Sequence, residues 1–418
     1  MKRRICSIVL LLAMLAGISV GCSVTGNSSD TESAGQTNAG TSNKTDNGTE
    51  EVTVSALSVS EQAYYFTESV DYEIYEDKDD EDPERVSGFR YMCYDPETDS
   101  VFALCGIDGC SHNTRSCNAY YDVNDDEDKY LGVVSLQYED GYLYQLGYSY
   151  SEKALYLYRI AVDGTSELEA YRKLAEVDFV TGSGDYNFSF PGYCIIDGYV
   201  YYDDSYLKNS DTPQKLYRME LESGDAEELF EADSEVPGIW NFYECGQYLY
   251  FQQREKLGES TKTTQGYTYR YDTESGTVEC IMNASPNCYA VNDDYVYYIE
   301  DKNLYSCSTE EQSVTLIAEN IAGDTETVSM LYLIEDAVIV SLNAADDSGI
   351  LAAYDTAGNL LERMECDPDE SFCVAVGKNY IYGTRFRSEE VLGEANMHTS
   401  IMKTEDFLQG NGAWIDIT

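Results

Sequence analysis

The chain has 418 residues, of which 77 are Asp or Glu and 26 are Lys or Arg, so its formal net charge at pH 7 is −51. Nucleic acid is excluded as a partner, because proteins bind a phosphate backbone through Lys and Arg. The same charge disfavours direct adhesion of the folded body to an anionic membrane or cell-wall polymer.

Residues 1–21 are predicted to be a signal peptide. Three basic residues precede an apolar stretch at residues 8–16 that is too short to span a bilayer. The sequence SVGC that follows resembles the bacterial lipoprotein signal, in which the cysteine, here Cys22, is diacylated and becomes the mature N-terminus. Two acyl chains, at about 0.8 kcal/mol per buried CH₂ group, anchor a protein stably to the extracytoplasmic face of the membrane. An ordinary cleaved secretory signal is the alternative.

A polar tether and a long folded body follow the signal peptide. Residues 22–51 contain no aromatic side chain and almost no apolar ones, so they cannot bury enough surface to offset the entropy of ordering. Such a segment behaves as a flexible tether with a mean reach of about 30 Å. We expect lipid and tether to hold the body, residues 52–418, off the membrane surface.

A cysteine-rich insert lies at about residues 93–121. Its central part, CGIDGCSHNTRSCNAYY, has the spacing Cys-x4-Cys-x-His-x4-Cys and holds one of the two histidines of the chain. Three thiolates and an imidazole can form a tetrahedral zinc site. The candidate metal ligands are Cys105, Cys110, His112 and Cys117. Disulfides, with Cys93 as a further candidate partner, are the favoured alternative, because extracytoplasmic cysteines commonly pair. Free thiols are the third alternative, and a catalytic cysteine is not expected because the loop offers no orienting third group.

Two acidic runs flank the insert, at residues 76–84 and 122–129. Carboxylate oxygens are the ligands that Ca²⁺ prefers, but neither run has the spaced acidic pattern of a calcium loop. We therefore expect solvated loops in both places.

A tyrosine-rich segment recurs through the body and predicts its fold. The segment alternates tyrosine or β-branched residues with other residue types after a turn signal, which is typical of a half-buried β-strand. Seven copies occur, at Tyr64, Tyr142, Tyr199, Tyr248, Tyr295, Ala337 and Tyr380. From Tyr142 onwards the spacings are 57, 49, 47, 42 and 43 residues.

A second motif of strand, turn and strand follows each copy, as in KLYRMELESGDAEELF at residues 215–230. Asp-Gly, Ser-Gly and Ala-Gly pairs lie at the tips, where a hairpin needs positive φ. Each period thus supplies four strands, and four-stranded sheets at this spacing are typical of propeller blades. The predicted fold is an all-β β-propeller of four-stranded blades. Seven blades fit best, six or eight are compatible, and we expect the tyrosine segments to form the inner edges of the blades.

The two ends of the body indicate how the ring could close. Residues 52–59, VTVSALSV, and the last residues, AWIDIT, are both strand-like. Pairing of residues 52–59 with the last blade would protect two exposed edges. Only residues 225–235 have a helical pattern, and they follow a turn in register with the other blades.

The segments YVYYDD, YLYFQQ and YVYYIED, each paired with a following strand such as KLYR, resemble the YWTD propellers of low-density lipoprotein receptors. They resemble more closely a group of tyrosine-rich propeller lipoproteins of Gram-positive anaerobes. This resemblance covers nearly the whole body. It implies a propeller at the cell surface and a cysteine-rich insert after the first blade strands, but no activity.

The function class follows from what the tyrosines do and from which motifs are absent. Most of the 39 tyrosines are expected to pack blade against blade, with hydroxyls reaching water or backbone. Asp-box, Gly-x-Ser-x-Gly and His-Glu-x-x-His motifs are absent, and two histidines support little acid–base chemistry. We predict a non-catalytic, surface-anchored lipoprotein whose propeller face binds an extracellular glycan, peptide or envelope protein. The alternatives are a structural subunit of an envelope complex and a glycan-active enzyme that uses two carboxylates.

Overall fold

Seven antiparallel sheets follow one another along the chain, which confirms the predicted seven-bladed β-propeller. The computed structural model describes residues 53–60, 63–74, 84–112, 116–122, 129–131, 136–177, 191–204, 213–236, 238–254, 266–345, 348–365, 370–377, 379–388 and 395–417. The predicted signal peptide, Cys22 and the tether lie outside these residues, as does most of both acidic runs.

The first two blades are the irregular ones. Blade 1 consists of β1 (Tyr64–Ile74), β2 (Glu84–Asp95), β3 (Ser100–Ala103) and β4 (Tyr120–Asp122). Blade 2 consists of β5 (Lys129–Leu131), β6 (Gln137–Glu139), β7 (Tyr142–Ser149), β8 (Ala154–Ala161) and β9 (Glu169–Glu176). In blade 1, β3 and β4 both pair with β2, and in blade 2, β5 and β6 both pair with β7. Two short strands therefore share one ladder in each of these blades.

Blades 3 to 7 are regular four-stranded sheets whose strands pair in chain order. Blade 3 has β10 (Tyr193–Ile196), β11 (Tyr199–Asp203), β12 (Lys215–Glu220) and β13 (Ala226–Glu231). Blade 4 has β14 (Gly238–Cys245), β15 (Tyr248–Arg254), β16 (Gly266–Asp272) and β17 (Val278–Met282). Blade 5 has β18 (Tyr289–Val291), β19 (Tyr295–Glu300), β20 (Asn303–Ser308) and β21 (Val314–Ala318). Blade 6 has β22 (Thr327–Ile334), β23 (Ala337–Asn343), β24 (Gly349–Asp355) and β25 (Leu360–Glu365). Blade 7 has β26 (Glu370–Val376), β27 (Tyr380–Ser388), β28 (Ala395–Lys403) and β29 (Ile415–Asp416).

Six of the seven tyrosine-rich copies occupy equivalent places, and for these six the prediction that they form the inner edges is wrong; the first copy, at Tyr64, is the first strand of blade 1. From β7 onwards each copy is the second strand of its blade. The first strands are innermost, since the first strands of neighbouring blades approach one another around the ring. A second strand is covered by blades on both faces, so that nearly all residues of β11 and β15 are buried. The sequence is richest in tyrosine where the sheet is most fully covered.

The two ends of the propeller differ in their connections. At one end, here named the hairpin end, lie the turns between first and second strands and those between third and fourth strands. The two kinds of turn touch there, as when Leu221 N–H donates to the Gly198 carbonyl oxygen at 2.8 Å. Asp197 and Gly198 both have positive φ, as the predicted Asp-Gly turn requires. The opposite end, here named the crossover end, carries the connections between second and third strands and those that lead from one blade to the next.

Tyrosine hydroxyls hold neighbouring blades together, as predicted. The Tyr193 hydroxyl donates to the Tyr144 carbonyl oxygen across blades 3 and 2 at 3.1 Å. The Tyr202 hydroxyl donates to the Leu174 carbonyl oxygen across the same boundary at 3.2 Å. These bonds satisfy hydroxyls that burial would otherwise leave without partners.

The ring closes between blades 7 and 1 by aromatic packing, which corrects the predicted strand pairing. The Tyr64 and Tyr382 rings stack with centroids 3.5 Å apart, and Tyr94 meets Tyr380 edge-on at 6.3 Å. Residues 53–57 instead hydrogen-bond to the cysteine insert and to blade 2. Blade 7 takes its fourth strand, β29, from the strand-like C-terminus.

Helix is scarce in the described part of the chain, as expected. The segment with a helical pattern forms strand β13, and one short helix, α1 (Thr404–Leu408), lies between β28 and β29. Among the described residues, no helix is long and apolar enough to cross a membrane.

Candidate metal centre

The cysteine insert is a loop that interrupts one strand position of blade 1, because both of its ends pair with the same residue of β2. Tyr91, in the middle of β2, bonds to both ends of the loop. Its carbonyl oxygen accepts from Leu104 N–H at 2.9 Å, and its N–H donates to the Ala119 carbonyl oxygen at 2.9 Å. Residues 104–119 are therefore closed at the base by the ladder itself. The fold brings Cys105 and Cys117 together without help from a metal.

The four predicted ligands converge on one point. The Sγ atoms of Cys105, Cys110 and Cys117 and a ring nitrogen of His112 all lie within 4.8 Å of one another. The Cys117 Sγ to His112 Nδ1 distance is 3.6 Å. A tetrahedral zinc ion, with Zn–S bonds of about 2.3 Å, separates its ligand atoms by about 3.8 Å. The residues present therefore fit a metal ion of this size, and the cluster could hold one.

Backbone conformation lets Cys110 and His112, which are separated by a single residue, face the same point. His112 has φ of 59° and Gly109 has φ of 73°, both in the left-handed region. These two residues bend the chain on either side of Cys110, so that both side chains face the same point. A non-glycine residue in this region is uncommon and is often imposed by a functional site.

Backbone N–H groups favour the ionised form of the cysteine sulfurs. The His112 N–H donates to the Cys110 sulfur at 3.4 Å. The backbone N–H groups of Ile107 and Ala119 act to lower the pKa of Cys105 and of Cys117. Such N–H groups stabilise a thiolate, which is the form that binds a metal. The backbone around the three cysteines therefore acts in the direction that favours a bound cation.

The three cysteine thiols of the cluster differ in how readily they lose their protons. A hydrogen bond from the Cys117 thiol and backbone N–H groups hold the pKa of Cys105 well below its ordinary value. The pKa of Cys117 is raised, first by its hydrogen bond to Cys105 and then by burial. Burial chiefly raises the pKa of Cys110. One thiolate is thus stable on its own, whereas three require a bound cation.

The insert also joins three parts of the molecule at the hairpin end. The Gly164 carbonyl oxygen, in the β8–β9 turn of blade 2, accepts from Gly106 N–H at 2.9 Å and from Asn118 Nδ2 at 2.8 Å. Ser55 N–H donates to the Gly106 carbonyl oxygen at 2.7 Å. Both arms of the loop are therefore fixed to blade 2, and the first described residues are fixed to the loop.

Cys93 is not part of the cluster. It lies in β2, fully buried, and burial raises the pKa of its thiol to about 12. Cys93, Cys105, Cys110 and Cys117 are all thiols in the structure. The disulfide alternative therefore stays a prediction, which thiol and metal analysis can decide.

A group of carboxylates at the hairpin end of the channel was not singled out by the sequence. Glu139, Asp197 and Glu244 stand at or beside the first turns of blades 2, 3 and 4. Burial raises the pKa of Glu244 to about 7, and the charges of Glu139 and Asp197 act in the same direction. Among 77 acidic residues nothing in the sequence marks these three, because the effect arises from the ring that brings successive turns together.

Comparison with known proteins supports the fold. No protein-family model matches the chain, and no curated protein matches its sequence. Oligopeptidase B from Leishmania major matches with a TM-score of 0.50 at 8% identity, over 85% of this chain and 48% of its own. Oligogalacturonate lyase from Vibrio parahaemolyticus matches with a TM-score of 0.46 at 14% identity, over 66% of this chain and 74% of its own. Regucalcin from Agrobacterium tumefaciens matches with a TM-score of 0.36 at 15% identity, over 60% and 80%.

These likenesses correct one prediction and limit another. The prediction that the chain is not an enzyme, which rests on absent motifs and scarce histidines, is wrong: oligopeptidase B, with the same propeller architecture, is a peptidase. A propeller serves enzymes and binding proteins alike. The chain spans about half the length of the peptidases that it matches. The resemblance to tyrosine-rich propeller lipoproteins is supported at the level of the seven-bladed fold alone.

Proposed function

We propose that this chain is a membrane-tethered β-propeller that binds one structural zinc ion in its cysteine insert and presents its crossover end to an extracellular ligand. The observation that carries the zinc assignment is the convergence of the ligand atoms of Cys105, Cys110, His112 and Cys117 within 4.8 Å of one another. Zinc is the ion that tetrahedral sulfur and nitrogen sets favour.

The proposed role of the zinc ion is structural. Four protein ligands complete a tetrahedral shell, whereas a catalytic zinc ion keeps one position for water or substrate. Bound there, the ion would cross-link the two arms of the loop, beside the contacts to blade 2 and to residues 53–57. It would therefore strengthen the place where the tether joins the body.

The proposed tether gives the propeller a preferred orientation. Cys22 would carry two acyl chains at the outer face of a bacterial membrane, and residues 23–52 would connect it to the hairpin end. Since residues 53–57 join the fold at the hairpin end, the crossover end would be the one that is free to meet a ligand. A glycan, a peptide or an envelope protein fits this arrangement, and so does a structural place in an envelope complex.

Metal and thiol analysis of the full chain tests the zinc assignment. We expect one zinc per chain in protein purified from membranes, and its loss in Cys105→Ser and Cys117→Ser. Cys307→Ser, which removes a buried thiol of blade 5, should keep the metal. Zinc-free protein whose insert cysteines resist thiol reagents until reduction would establish disulfides instead.

Fractionation tests the anchor, and arrays test the ligand. Cys22→Ser should move the protein from the membrane to the soluble fraction, whereas Cys6→Ser, within the signal peptide, should leave it anchored. A glycan and peptide array should return a reproducible ligand. A silent array with one stoichiometric partner in a pull-down would favour the envelope subunit.

Glycan cleavage is a second candidate function, favoured by the environment of Glu244. A carboxyl group with a pKa of about 7 can donate a proton near neutral pH beside the carboxylates of Glu139 and Asp197. Product analysis on the glycans of the same array tests this function. Turnover that disappears in Glu244→Gln would support it, and turnover unchanged in that variant would exclude Glu244 as the acid.

A further inference from the structure

Arg254 is a buried cation to which the described part of the chain offers no carboxylate partner. It is the last residue of β15, at the crossover end, and is 7% exposed. Its Nη1 donates to Asn287 Oδ1 at 3.0 Å, and its guanidinium lies over the Trp240 ring at 4.8 Å. Within the described residues, no Asp or Glu side chain forms an ion pair with it. Burial lowers the pKa of Arg254, opposed only by the Tyr289 phenol.

Three partly exposed arginines of the blades behave differently, whereas Arg172 donates to the carbonyl oxygens of Leu221 and Glu222. Arg159 pairs with Glu169 at 2.6 Å, Arg270 pairs with Glu279 at 2.7 Å, and Arg218 pairs with Glu227. In a chain with 77 acidic residues, a cross-strand glutamate is the ordinary partner of an arginine. A buried charge gains more from a partner than an exposed one, so the missing carboxylate at Arg254 requires a cause.

Two buried N–H groups near Arg254 also lack an acceptor. They are Arg254 Nε and Trp240 Nε1. An unsatisfied buried donor costs about 1–3 kcal/mol. Gly238 leaves room for the indole N–H, because a Cβ there would lie 2.5 Å from Trp240 Nε1. The surroundings of Arg254 thus combine a cation, two N–H donors without an acceptor and the face of an aromatic ring. An anion that accepts hydrogen bonds would satisfy both donors.

The loop that covers Arg254 contains Ala284, Pro286 and Asn287, and hydrogen bonds other than those of the guanidinium fix its position. Gln252 Nε2 donates to the Pro286 carbonyl oxygen at 2.8 Å, and Thr268 Oγ1 donates to the Ala284 carbonyl oxygen at 2.8 Å. Both of these side chains are completely buried. Asn287, the one hydrogen-bond acceptor of Arg254, is exposed, so the guanidinium lies just beneath the surface.

We propose that Arg254 and Trp240 bind the carboxylate group of a ligand at the crossover end of blade 4. This inference rests on the ligand-binding role proposed above and names the chemical class of the ligand. A guanidinium presents parallel N–H groups that match a carboxylate, and the indole N–H adds a further donor. An acidic sugar and the C-terminus of a peptide both carry this group.

Tryptophan fluorescence of the full chain tests the proposal. In a Trp414→Phe background, Trp240 is the single tryptophan and reports directly on the site. The probes are galacturonate against galactose, and N-acetyl-dialanine against its C-terminal amide. We expect a saturable change with at least one acid and none with its neutral counterpart. Galacturonate alone would indicate an acidic sugar, and the peptide acid alone a peptide terminus.

Variants then assign the binding to Arg254. Arg254→Gln should weaken binding of the acid by about tenfold or more, and Arg254→Lys should retain part of it. Arg218→Gln, which removes a paired arginine of blade 3, should leave binding unchanged. Should Arg254→Gln fail to fold, the comparison of acid with neutral probe in the parent protein, together with Arg254→Lys, still decides.

Three outcomes would overturn the proposal: no response to either acid, equal binding of acid and neutral probe, or unchanged binding in Arg254→Gln. The failure of this inference is distinct from the failure of the proposed function. An array that returns only neutral ligands would refute the carboxylate site and leave the ligand-binding propeller standing. A silent array together with silent fluorescence would refute both.

Discussion

Blade 1 holds the cysteine cluster and blade 4 holds Glu244 and Arg254, and the two blades position these groups in opposite ways. The cysteine cluster lies in a loop of residues 104–119 that interrupts a strand, and its side chains meet because the ladder closes the base of the loop. In blade 4 the two charged groups occupy ordinary strand positions, with Glu244 near the hairpin end and Arg254 at the crossover end. The loop of blade 1 is an insertion into the repeat, whereas the groups of blade 4 occupy positions of the repeat itself.

The difference has a physical origin. A cysteine loop needs a metal or disulfides because it is too short and polar to bury a core of its own. A blade already has its core, which lets it keep a charged group where packing supplies the stability. Blade 1 should therefore depend on its ligands, and blade 4 should tolerate changes at its charged positions.

The largest expected effect separates the two blades directly. Cys105→Ser should lower the free energy of unfolding by about 3–5 kcal/mol, because binding of a structural ion contributes directly to folding. A chelator should destabilise the parent protein by a similar amount and leave this variant unchanged, as measured by thermal unfolding. Cys307→Ser should remain sensitive to the chelator. Insensitivity of the parent protein to chelators, combined with sensitivity to reductants, would replace the metal by disulfides.

The next effect concerns how the loop is fastened. A Cβ at Gly106 would lie 2.0 Å from the Ser55 carbonyl oxygen, a backbone atom that cannot move alone. Gly106→Ala should therefore cost about 2–3 kcal/mol and expose the chain near residue 55 to proteases. Gly109→Ala is the matched control: it meets open space and carries only the strain of φ at 73°, about 1 kcal/mol. Equal costs for the two variants would show that the fastening to Ser55 contributes nothing.

This contrast also explains what the sequence could predict. The repeat of tyrosine segments gave the number of blades, because every period must supply the same four strands. The insert was visible because it breaks that period, and its four candidate ligands lie within 4.8 Å of one another. Their role as metal ligands stays a prediction. The sequence could not place the copies as second strands, because alternation reports burial on two faces and not radial position.

The residues of blade 4 were beyond the reach of sequence reasoning. Glu244 is one of 77 acidic residues, and its raised pKa depends on turns of blades 2 and 3 that are distant in the chain. Arg254 is distinguished by the carboxylate that it lacks, which only coordinates reveal. The closure of the ring was predicted wrongly for a similar reason. The stacking of Tyr64 on Tyr382 is a contact between the two ends of the chain, and no local pattern encodes it.

The third prediction tests whether ionisation of the partly buried Glu244 carboxyl group in blade 4 lowers the stability of the protein. The pKa of Glu244 is raised from 4.5 to about 7, so the folded state binds the proton more tightly than the unfolded state. The resulting stability is present below pH 4.5 and is lost as pH rises through 7, by at most about 3 kcal/mol. Glu244→Gln should be more stable than the parent protein at pH 8 by about 2 kcal/mol, and less so at pH 5. A stability difference between Glu244→Gln and the parent protein that is the same at pH 5 and pH 8 would contradict the raised pKa of Glu244.

The smallest effect is expected at an exposed ion pair of the same blade. Arg270 and Glu279 lie 2.7 Å apart on β16 and β17, and the Glu279 side chain is 56% exposed. A double-mutant cycle of Arg270→Ala and Glu279→Ala should give a coupling energy below about 1 kcal/mol that falls with added salt. Arg270→Ala alone should cost more than this coupling, because the guanidinium also lies 4.6 Å from the centroid of the Tyr248 ring. A coupling of several kcal/mol that resists salt would mean that exposed and buried charges are equivalent in blade 4. Arg254 would then no longer stand apart from the other arginines of the propeller.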